Sequence, residues 1–516
     1  MNPSDPVTLA AFVNSAAHAT LDDLFVRAAM RRPGEFALID PPNRRAFADG
    51  AARYVTYAAA DRVVSAIAGR LHQLGLTRQT VIGLQFPNMV EGVLALLGVL
   101  RAGMIAAPLP LLWRRAEIVS ALGQVGAQAI ITGGRVGGDD LCEVAQHVAA
   151  ELFSIRYVCG FGAELADGVI PLGELFTADR LDPIAPLTTR NNPDEEIAVV
   201  TWDTTVHGYV AVARSHAQLI AGGVAVMLEG QIEPDTTILT TANFASFSAL
   251  ALSVMPWLLS GGTLALHHAF DPDAFAESCA EHRCETIVLP GPMAVELNAA
   301  GLLAREDLRN VFAVWRTPER LPTSPAWRHA NAHLVDVQVF GEAGLVAARR
   351  AASGLPATLA TGPVIAPRGT NGVLTGEISR TAAGTLALRG TMVPRDPFPP
   401  VVSQSEKAIF KADASGFVDT GYPCRVAGES GAVVLTGPPA GIVNVGAYRF
   451  AQCELQNLVQ RAGKQVSLAA LPDPYLSHRL AGSAADRAAV RKVLIANGMN
   501  ALVAGAFRGR RKPRAA

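Results

Sequence analysis

Up to about residue 340, segments with apolar residues at helical spacing alternate with short, nearly continuous apolar runs. The helical segments are "YAAADRVVSAIAGRLHQLG" and "MVEGVLALLGVLRAG", and the runs are "TVIGLQF", "QAIITGG", "RYVCG", "EIAVVTW", "ETIVLPG" and "NVFAVWR". This alternation predicts α/β layers built on mainly parallel sheets. From about residue 370, "GVLTGEISR", "GTLALRG" and "GAVVLTG" predict short strands separated by glycines, which indicates an antiparallel, β-rich region.

The chain of 516 residues is too long for one ordinary core, so two or more domains are expected. After "LTGPPAG", two more helices are predicted in "FAQCELQNLVQRAG" and "AADRAAVRKVLIANG". Pro438-Pro439, flanked by glycines, is the best candidate for a linker. We therefore predict a large domain over 1–436, β-rich at about 370–436, and a small α+β domain over 437–516. The basic tail "FRGRRKPRAA" is expected to be a solvated end.

The segment 236–270 contains no Asp, Glu, Lys or Arg and is nearly all apolar around "SALALSVMPWLLSGGTLAL". A membrane-spanning helix needs roughly 20 such residues. Pro256 and Gly261-Gly262 interrupt the segment, so the pattern favours a buried helix, a turn and a strand over a span. We expect no membrane association.

Composition narrows the class of protein further. Half of the residues are hydrophobic and 17% are charged, which is typical of a globular protein. The net charge of −1 gives no strong electrostatic field that would attract nucleic acid. Six scattered cysteines show no disulfide pattern, and the amino terminus lacks a basic segment before an apolar run, so a cytoplasmic location is expected. Cys279, His282 and Cys284 lie close together, but a zinc site usually has a second pair, so buried thiols are favoured.

The stretch "TWDTTVHGYVAVARSH", residues 201–216, follows a predicted buried strand. A loop that holds phosphates needs glycines for close backbone approach and usually a lysine. Here Val206, His207 and Tyr209 stand in such positions, and the first 406 residues contain no lysine. The stretch therefore indicates an altered phosphate loop.

The order of elements resembles the adenylate-forming (AMP-binding) superfamily of acyl- and aryl-CoA synthetases, luciferases and adenylation domains. The resemblance rests on the stretches that begin at "YVTYAAADRVV", "FDPDAFAES" and "GFVDTGYPC" and covers nearly the whole chain. It implies an α/β fold with a large layered domain, a β-rich subdomain and a small lid domain, which is shortened here. It also implies ATP and magnesium, which activate a carboxylate to an acyl-adenylate, and CoA, which accepts the acyl group.

The resemblance also assigns site residues. The implied nucleotide-binding residues are Thr204, Thr205, Arg214, Ser215, His216, Thr420, Gly421 and Tyr422. The implied substrate pocket contains Asn243, Phe244, Phe340 and Gly341. Glu342 is the candidate catalytic carboxylate and the magnesium ligand if magnesium binds. Ordinary structural roles compete with each assignment: Thr204 and Thr205 as turn hydroxyls, and Arg214 and His216 as packing at a helix start.

The chain departs from the family pattern at five chemical positions. The second loop glycine and the loop lysine are absent, and the carboxylate is displaced within Phe340–Gly344. Tyr422 replaces the ribose-binding aspartate, and Asp419 is expected to point to the other face of its strand. Lys512 resembles the family's lid lysine only superficially. Apart from these five positions, Gly437-Pro438 replaces the Gly-Arg of the hinge. Each lost contact is commonly worth roughly 10²–10³ in rate, although such losses do not multiply.

Two hypotheses remain open at this point. The first is a ligase-like protein or pseudoenzyme with an acyl- or aryl-acid pocket and weak or lost activation by ATP. Its ligand would be a carboxylate or an acyl thioester, and a protein partner is conceivable. The second is an active acid–CoA ligase in which Arg214 and Glu342 supply substituted contacts. A membrane-bound carrier is disfavoured, and the sequence does not identify the acid, the oligomeric state or the role of the tail.

Overall fold

The computed structural model describes residues 7–8, 19–177, 192–368, 371–399, 411–427, 431–463 and 465–508. Within these ranges the chain forms three large sheets in one part and a smaller sheet in a C-terminal lobe. The basic tail after residue 508, with Lys512, lies outside the described residues, as do Lys407 and Lys464.

The first sheet has seven strands, and its first six are parallel. In spatial order they are Ile170–Pro171, Tyr157–Phe161, Ala129–Gly133, Val81–Gln85, Ile105–Pro108, Ile197–Thr205 and Gly208–Ser215. The last strand is antiparallel to its neighbour. Helices of this part are Tyr57–Gln73, Val90–Arg101, Arg115–Val125 and Leu141–Glu151. The α/β alternation that the apolar pattern predicted is confirmed here.

The second sheet has eight strands with a parallel centre and one antiparallel pair at each edge. In spatial order they are Gly344–Arg349, His333–Phe340, Asn310–Trp315, Thr286–Pro290, Thr237–Thr240, Thr263–Leu266, Phe36–Ile39 and Tyr54–Thr56. Its helices are Leu21–Arg31, His216–Gly230, Phe247–Ala249, Met255–Ser260, Pro272–Glu281 and Gly291–Ala299.

The third sheet is mainly antiparallel and forms the β-rich region. Its strands are Val7–Thr8, Asn371–Arg380, Thr385–Arg389, Val418–Ala427, Ala432–Leu435 and Leu359–Ala360, with Gly362–Arg368 paired to Asn371–Arg380. Short 3₁₀ turns and a small hairpin complete the large part: Arg44–Ala46, Gly173–Phe176, Pro193–Glu195, Pro318–Thr323, Arg135–Val136 and Asp139–Asp140.

The helix Val90–Arg101 is buried on every side. An all-round apolar helix belongs in the interior of a large core, and this one lies where its sequence predicted it. Gly98 permits the contact with the neighbouring helix, because a Cβ added there would lie 2.5 Å from Ile67 Cγ2. The helix thus joins the first two sheets into one core.

The uncharged segment 236–270 is buried, as predicted. Its helical part runs through Pro256 to Ser260, and the turn at Gly261-Gly262 and the strand Thr263–Leu266 follow in the predicted order. A π-type stretch, Leu250–Val254, ends two residues before Pro256. A π-turn shifts the hydrogen-bonding partner by one residue, which accommodates a residue without an N–H. In the described ranges, every helix is too short or too polar to cross a lipid bilayer.

The C-terminal lobe, here called the small lobe, comprises residues 442–507. Its four-stranded sheet has the order Tyr448–Ala451, Ile442–Val445, Ser477–Ser483 and Ser467–Asp473. Its helices are Gln452–Ala462, Arg487–Ala496 and Ala501–Gly505. A separate cluster of buried apolar side chains, including Phe450, Leu494 and Phe507, forms its core.

Candidate functional site

The predicted phosphate loop is a closed β-hairpin. Ile197–Thr205 pairs with Gly208–Ser215 from Ile197↔Ser215 to Thr205↔Gly208, so only Val206 and His207 connect the strands. A phosphate cradle needs successive backbone N–H groups that converge on one point. The paired strands leave no open loop of this kind.

The threonine hydroxyls of the hairpin have local partners. Thr205 donates its hydroxyl to the Gly208 carbonyl at 3.0 Å and accepts the His207 N–H at 3.1 Å. Thr204 donates to the carbonyl of Arg449 in the small lobe at 3.3 Å, and its N–H donates to Asp203 Oδ1 at 2.7 Å. These contacts stabilise the turn and attach it to the small lobe.

Ser215 and His216 begin a helix. Ser215 Oγ accepts the Gln218 N–H at 3.3 Å, and Gln218 Oε1 accepts the Ser215 N–H at 3.0 Å, which is a capping box. His216 Nδ1 accepts the Leu21 N–H at 3.2 Å and is buried. Both residues therefore have structural partners in this arrangement.

Arg214 and Glu342 form a buried pair behind the hairpin. Glu342 Oε2 accepts the Thr201 hydroxyl at 2.5 Å and the Phe247 N–H at 3.0 Å, and it lies 3.5 Å from Arg214 Nη1. Arg214 also donates to the Glu342 carbonyl and stacks over Phe247 at 3.8 Å. Burial raises the pKa of Glu342, which Arg214 opposes, and burial lowers the pKa of Arg214 to about 10.

The pairing of Glu342 with Arg214 decides whether Glu342 can act as a ligand of magnesium. Mg²⁺ prefers six oxygen ligands at about 2.1 Å and keeps several waters. The Glu342 carboxylate instead faces a guanidinium and two hydrogen-bond donors. Among the residues the structure describes, no group of three His, Cys, Asp or Glu side chains is arranged to hold a metal ion. The arrangement therefore does not fit magnesium, and buried Cys279 and Cys284 lie apart from the site.

The Thr420–Tyr422 segment is also built into the fold. Thr420 donates its hydroxyl to the Leu386 carbonyl at 2.7 Å, and Gly421, at φ 73°, donates its N–H to Asp419 Oδ1 at 2.8 Å. Asp419 is exposed, whereas Tyr422 is buried and donates to the Arg316 carbonyl at 3.3 Å. The two side chains thus face opposite ways, as the strand period predicted.

The predicted substrate residues divide into two groups. Asn243 donates to the Phe86 carbonyl at 2.8 Å and accepts the Ala245 N–H at 3.2 Å, while Phe244 is buried in the core. Phe340 packs edge-on against Tyr422, with ring centroids 5.4 Å apart. Gly341 lies at φ 57°, and any Cβ there would collide with Arg449.

Four of the predicted residues meet around one cavity of about 60 Å³: Thr204, Gly341, Glu342 and Tyr422. The other predicted residues do not line it. Ligand pockets commonly have volumes of about 300–1,000 Å³. In this arrangement the cavity is therefore too small for a nucleotide together with an acid.

Sequence reasoning missed several residues of this cavity: Asp203, Ser246, Arg316, Asn444, Tyr448 and Arg449. They come from separate elements, and Asn444 and Arg449 are cross-strand partners in the small lobe. Arg449 forms an ion pair with Asp203, which also accepts the Glu342 N–H at 3.0 Å. One signal was present: Arg316 directly follows a strand of six buried residues, and strand ends of this kind often carry ligand contacts.

The small lobe also contacts the helix Arg115–Val125. Glu117, in the first turn, accepts the Arg114 N–H at 2.9 Å and the Asn500 N–H at 2.7 Å. Tyr448 accepts the Leu112 N–H at 3.0 Å. Burial raises the pKa of Glu117 to about 7, although both N–H donors act in the opposite direction. These contacts place the small lobe directly over the cavity.

Comparisons with known proteins match this architecture. An amide bond synthetase from Marinactinospora thermotolerans superposes with a TM-score of 0.68 at 18% identity, covering 93% of this chain and 94% of that one. An o-succinylbenzoate CoA synthetase from Bacillus subtilis superposes with a TM-score of 0.70 at 13% identity, covering 93% and 92%. The fold is that of the adenylate-forming enzymes.

Sequence comparison agrees over part of the chain. Residues 25–200 match the family model described as AMP-binding enzyme. A feruloyl-CoA synthase from Amycolatopsis is 27% identical over 292 residues, which are 56% of this chain and 54% of that protein. The human long-chain fatty acid transport protein 1 is 25% identical over 276 residues, 52% of this chain and 40% of that protein. The matches thus span about half the length of these relatives. Residues 25–200 are therefore similar to AMP-binding enzymes, and the chain as described has the fold of the adenylate-forming enzymes.

Proposed function

We propose that this protein is an acid–CoA ligase-like member of the adenylate-forming superfamily in which activation of carboxylates by ATP is weak or lost. Its ligands would be a small carboxylate or an acyl thioester of the acyl or aryl class. The feruloyl-CoA synthase and the fatty acid transport protein named above support this choice of chemical class. A cytoplasmic location and a protein partner remain predictions.

The closed hairpin carries the proposal. Between Thr205 and Gly208 the strands remain paired, so no run of N–H groups is free to surround a phosphate. The hairpin also lacks a lysine, and the tip is attached to the small lobe through Cys453 Sγ, 3.3 Å from the Val206 carbonyl. Opening a phosphate site would require breaking both the strand pairing and this contact.

The state of Glu342 is a second support. An active ligase with substituted contacts would need Arg214 for phosphate and Glu342 for magnesium. These two side chains are paired with each other at 3.5 Å, and Arg214 Nε also donates to the Met392 carbonyl at 3.3 Å. Each would have to leave its present partners before it could contact a nucleotide.

Thermal denaturation with ATP and magnesium tests the proposal first. A ligand at about 100 times its Kd stabilises the folded state by about 2.7 kcal/mol. We expect no significant shift in Tm at millimolar ATP, with ADP and magnesium alone as controls. A shift of several degrees would favour the active-ligase alternative.

Pyrophosphate exchange with a panel of straight-chain and benzoate-like acids tests catalysis directly. We expect no exchange above background in the parent or in Tyr422→Asp, with Tyr422→Phe as the matched control that removes only the hydroxyl. Tyr422→Asp returns a ribose acceptor, but the hairpin stays closed and without a lysine. Robust exchange by the parent, abolished by Glu342→Ala, would contradict the proposal.

A further inference from the structure

Two cysteines meet where the helix Pro272–Glu281 ends and the chain turns toward the strand Thr286–Pro290. The side chains of Cys279 and Cys284 are buried, at 1% and 0% exposure, and belong to one apolar cluster. The thiol of Cys284 is in hydrogen-bonding contact with that of Cys279 and lies 3.6 Å from the Ser278 carbonyl oxygen. The fold therefore holds two free thiols next to each other.

The turn that brings them together is a Schellman motif. The Cys284 N–H donates to the Cys279 carbonyl at 3.3 Å, and Arg283, just before Cys284, has a left-handed φ of 46°. In this motif the residue after the left-handed position commonly contacts the residue five places earlier through apolar side chains. Because both positions are cysteines here, the usual packing contact becomes a contact between two sulfur atoms.

This arrangement suits a disulfide bond. A disulfide needs Cα atoms about 4.4–6.8 Å apart and Cβ atoms that point toward each other. The backbone hydrogen bond between Cys279 and Cys284 closes the turn, and the contact of the thiols brings the sulfur atoms together. Among the described residues, no His, Asp or Glu joins them in a group of three that could hold a metal ion. The pair thus fits a disulfide better than a metal site.

A small oxidant can reach the pair through the turn. Glu281 and Arg283 are exposed, and His282 is half-buried. A residue with a Cβ is disfavoured in the left-handed conformation, which glycine adopts readily, so Arg283 strains the closed turn. Helix ends also open locally at a lower free-energy cost than the whole domain.

The closed turn keeps the thiols unreactive. Thiolates, rather than thiols, are the nucleophilic form of cysteine. The hydrogen bond with Cys279 and burial both raise the pKa of Cys284. In the closed turn this thiol therefore stays protonated at neutral pH, and its oxidation requires the turn to open.

We propose that Cys279 and Cys284 are a reversible dithiol–disulfide pair that hydrogen peroxide oxidises when the turn at Arg283 opens. The inference goes beyond the proposed function because it involves neither a carboxylate nor a nucleotide. The resulting disulfide would join the helix end to the start of the next strand, so the oxidised turn should open less often.

The oxidation proceeds in two steps. One thiolate attacks a peroxide oxygen, the O–O bond breaks, and the released hydroxide takes up a proton, which leaves a sulfenic acid and water. The second sulfur then attacks the sulfenic sulfur, the S–O bond breaks, and hydroxide leaves as water with the second thiol proton. The two thiols lose two electrons and two protons in total, and one peroxide becomes two waters.

Peptide mapping of the folded full chain after peroxide treatment and alkylation tests the proposal. Glu281 lies between the cysteines, so a glutamate-specific protease separates them into peptides 278–281 and 282–285. We expect peroxide to join these peptides with loss of two hydrogens, and dithiothreitol to separate them again. Cys284→Ser should abolish the link, and Cys142→Ser, at another buried cysteine, is the control that should keep it.

The rate of linking tests the route through the turn. Arg283→Gly removes the strain of the closed turn, so it should slow linking by about fivefold or more. Arg283→Ala keeps a Cβ at the same position and should link at the rate of the parent. Urea below the unfolding transition should change the rate little, because local opening exposes little surface.

Four outcomes would overturn the proposal. They are oxidation confined to the exposed Cys453, irreversible sulfinic or sulfonic acid at Cys279 or Cys284 without a link, linking only in urea that unfolds the chain, and equal rates in Arg283→Gly and Arg283→Ala. If Cys284→Ser does not fold, the joined peptides of the parent and their separation by dithiothreitol still decide.

Discussion

Arg44 is buried and Arg316 is half-buried in the large part, and the surroundings of the two arginines differ. All five N–H donors of Arg44 have acceptors: Asp40, both carboxylate oxygens of Glu91, and twice the carbonyl of Asp49. Arg316 has one hydrogen bond, to Ser246, in the described part of the chain. The charges around Arg44 are paired within the protein, whereas the guanidinium of Arg316 has no carboxylate within ion-pair distance among the described residues.

This difference separates a cluster whose charges are paired from an arginine whose guanidinium has one hydrogen bond among the described residues. A saturated cluster loses stability when any member is removed, because the remaining charges are buried without compensation. A cluster with unused hydrogen-bonding capacity loses less unfolding free energy when a member is removed, and it is stabilised when a ligand binds. Three substitutions, ordered by their expected effect on stability, test the comparison.

Arg44→Met should have the largest effect. It leaves Asp40 and Glu91 buried with much of their hydrogen bonding lost, which typically costs about 3–5 kcal/mol of unfolding free energy. Urea-induced unfolding measures the loss, and Arg70→Gln, at a surface pair, should cost about 1 kcal/mol or less. A loss for Arg44→Met as small as that of the control would show that the saturated cluster does not stabilise the fold.

Arg214→Met should have an intermediate effect of about 2–3 kcal/mol at neutral pH. Glu342 keeps the hydrogen bonds from Thr201 and Phe247, which reduces the cost of losing the cation. Burial already raises the pKa of Glu342, and removal of Arg214 should raise it further. The unfolding free energy lost in Arg214→Met should therefore become smaller as the pH falls, because the carboxyl group of Glu342 takes up a proton.

Unfolding curves recorded from pH 5 to 8 measure this trend, and Arg214→Met/Glu342→Gln is the matched variant without the titrating group. A loss for Arg214→Met that does not change with pH would argue against the buried ionised pair.

Glu117→Gln should have the smallest effect at acidic pH, where the protonated carboxyl group resembles the amide, and should act mainly on the pH dependence of stability. The folded-state pKa of Glu117 is about 7, above the ordinary value of 4.5. Its contribution to stability is therefore fully present below pH 4.5 and is lost as the pH rises to about 7. The glutamine variant lacks this loss, so its stability relative to the parent should rise by roughly 3 kcal/mol across that window.

The same unfolding series at six pH values measures this difference. A difference in unfolding free energy between variant and parent that stays constant with pH would mean that Glu117 titrates normally despite its position under the small lobe.

Much of the fold could be predicted from the sequence because local periodicity and burial agree. The helix Val90–Arg101 and the strand Asn310–Trp315 follow directly from their apolar patterns. The π-type stretch before Pro256 was not predicted, because it depends on packing.

The candidate site was less accessible to prediction. Val206-His207 is not a usual two-residue hairpin sequence, so the closure of the hairpin had no local signal. Arg316, Asn444 and Arg449 meet only because the small lobe folds back over the large part, and one sequence does not reveal such convergence.

Four backbone amide hydrogens at the contact between the small lobe and the large part can report when the two separate. The amide hydrogens of Leu112, Ala116, Asn500 and Ala501 are all donated across it, to Tyr448, Gly498, Glu117 and Leu112 respectively. Their exchange with deuterated solvent can proceed through separation of the lobes without unfolding of either core. Protection at these four positions therefore measures the free energy of separation, site by site, in the intact chain.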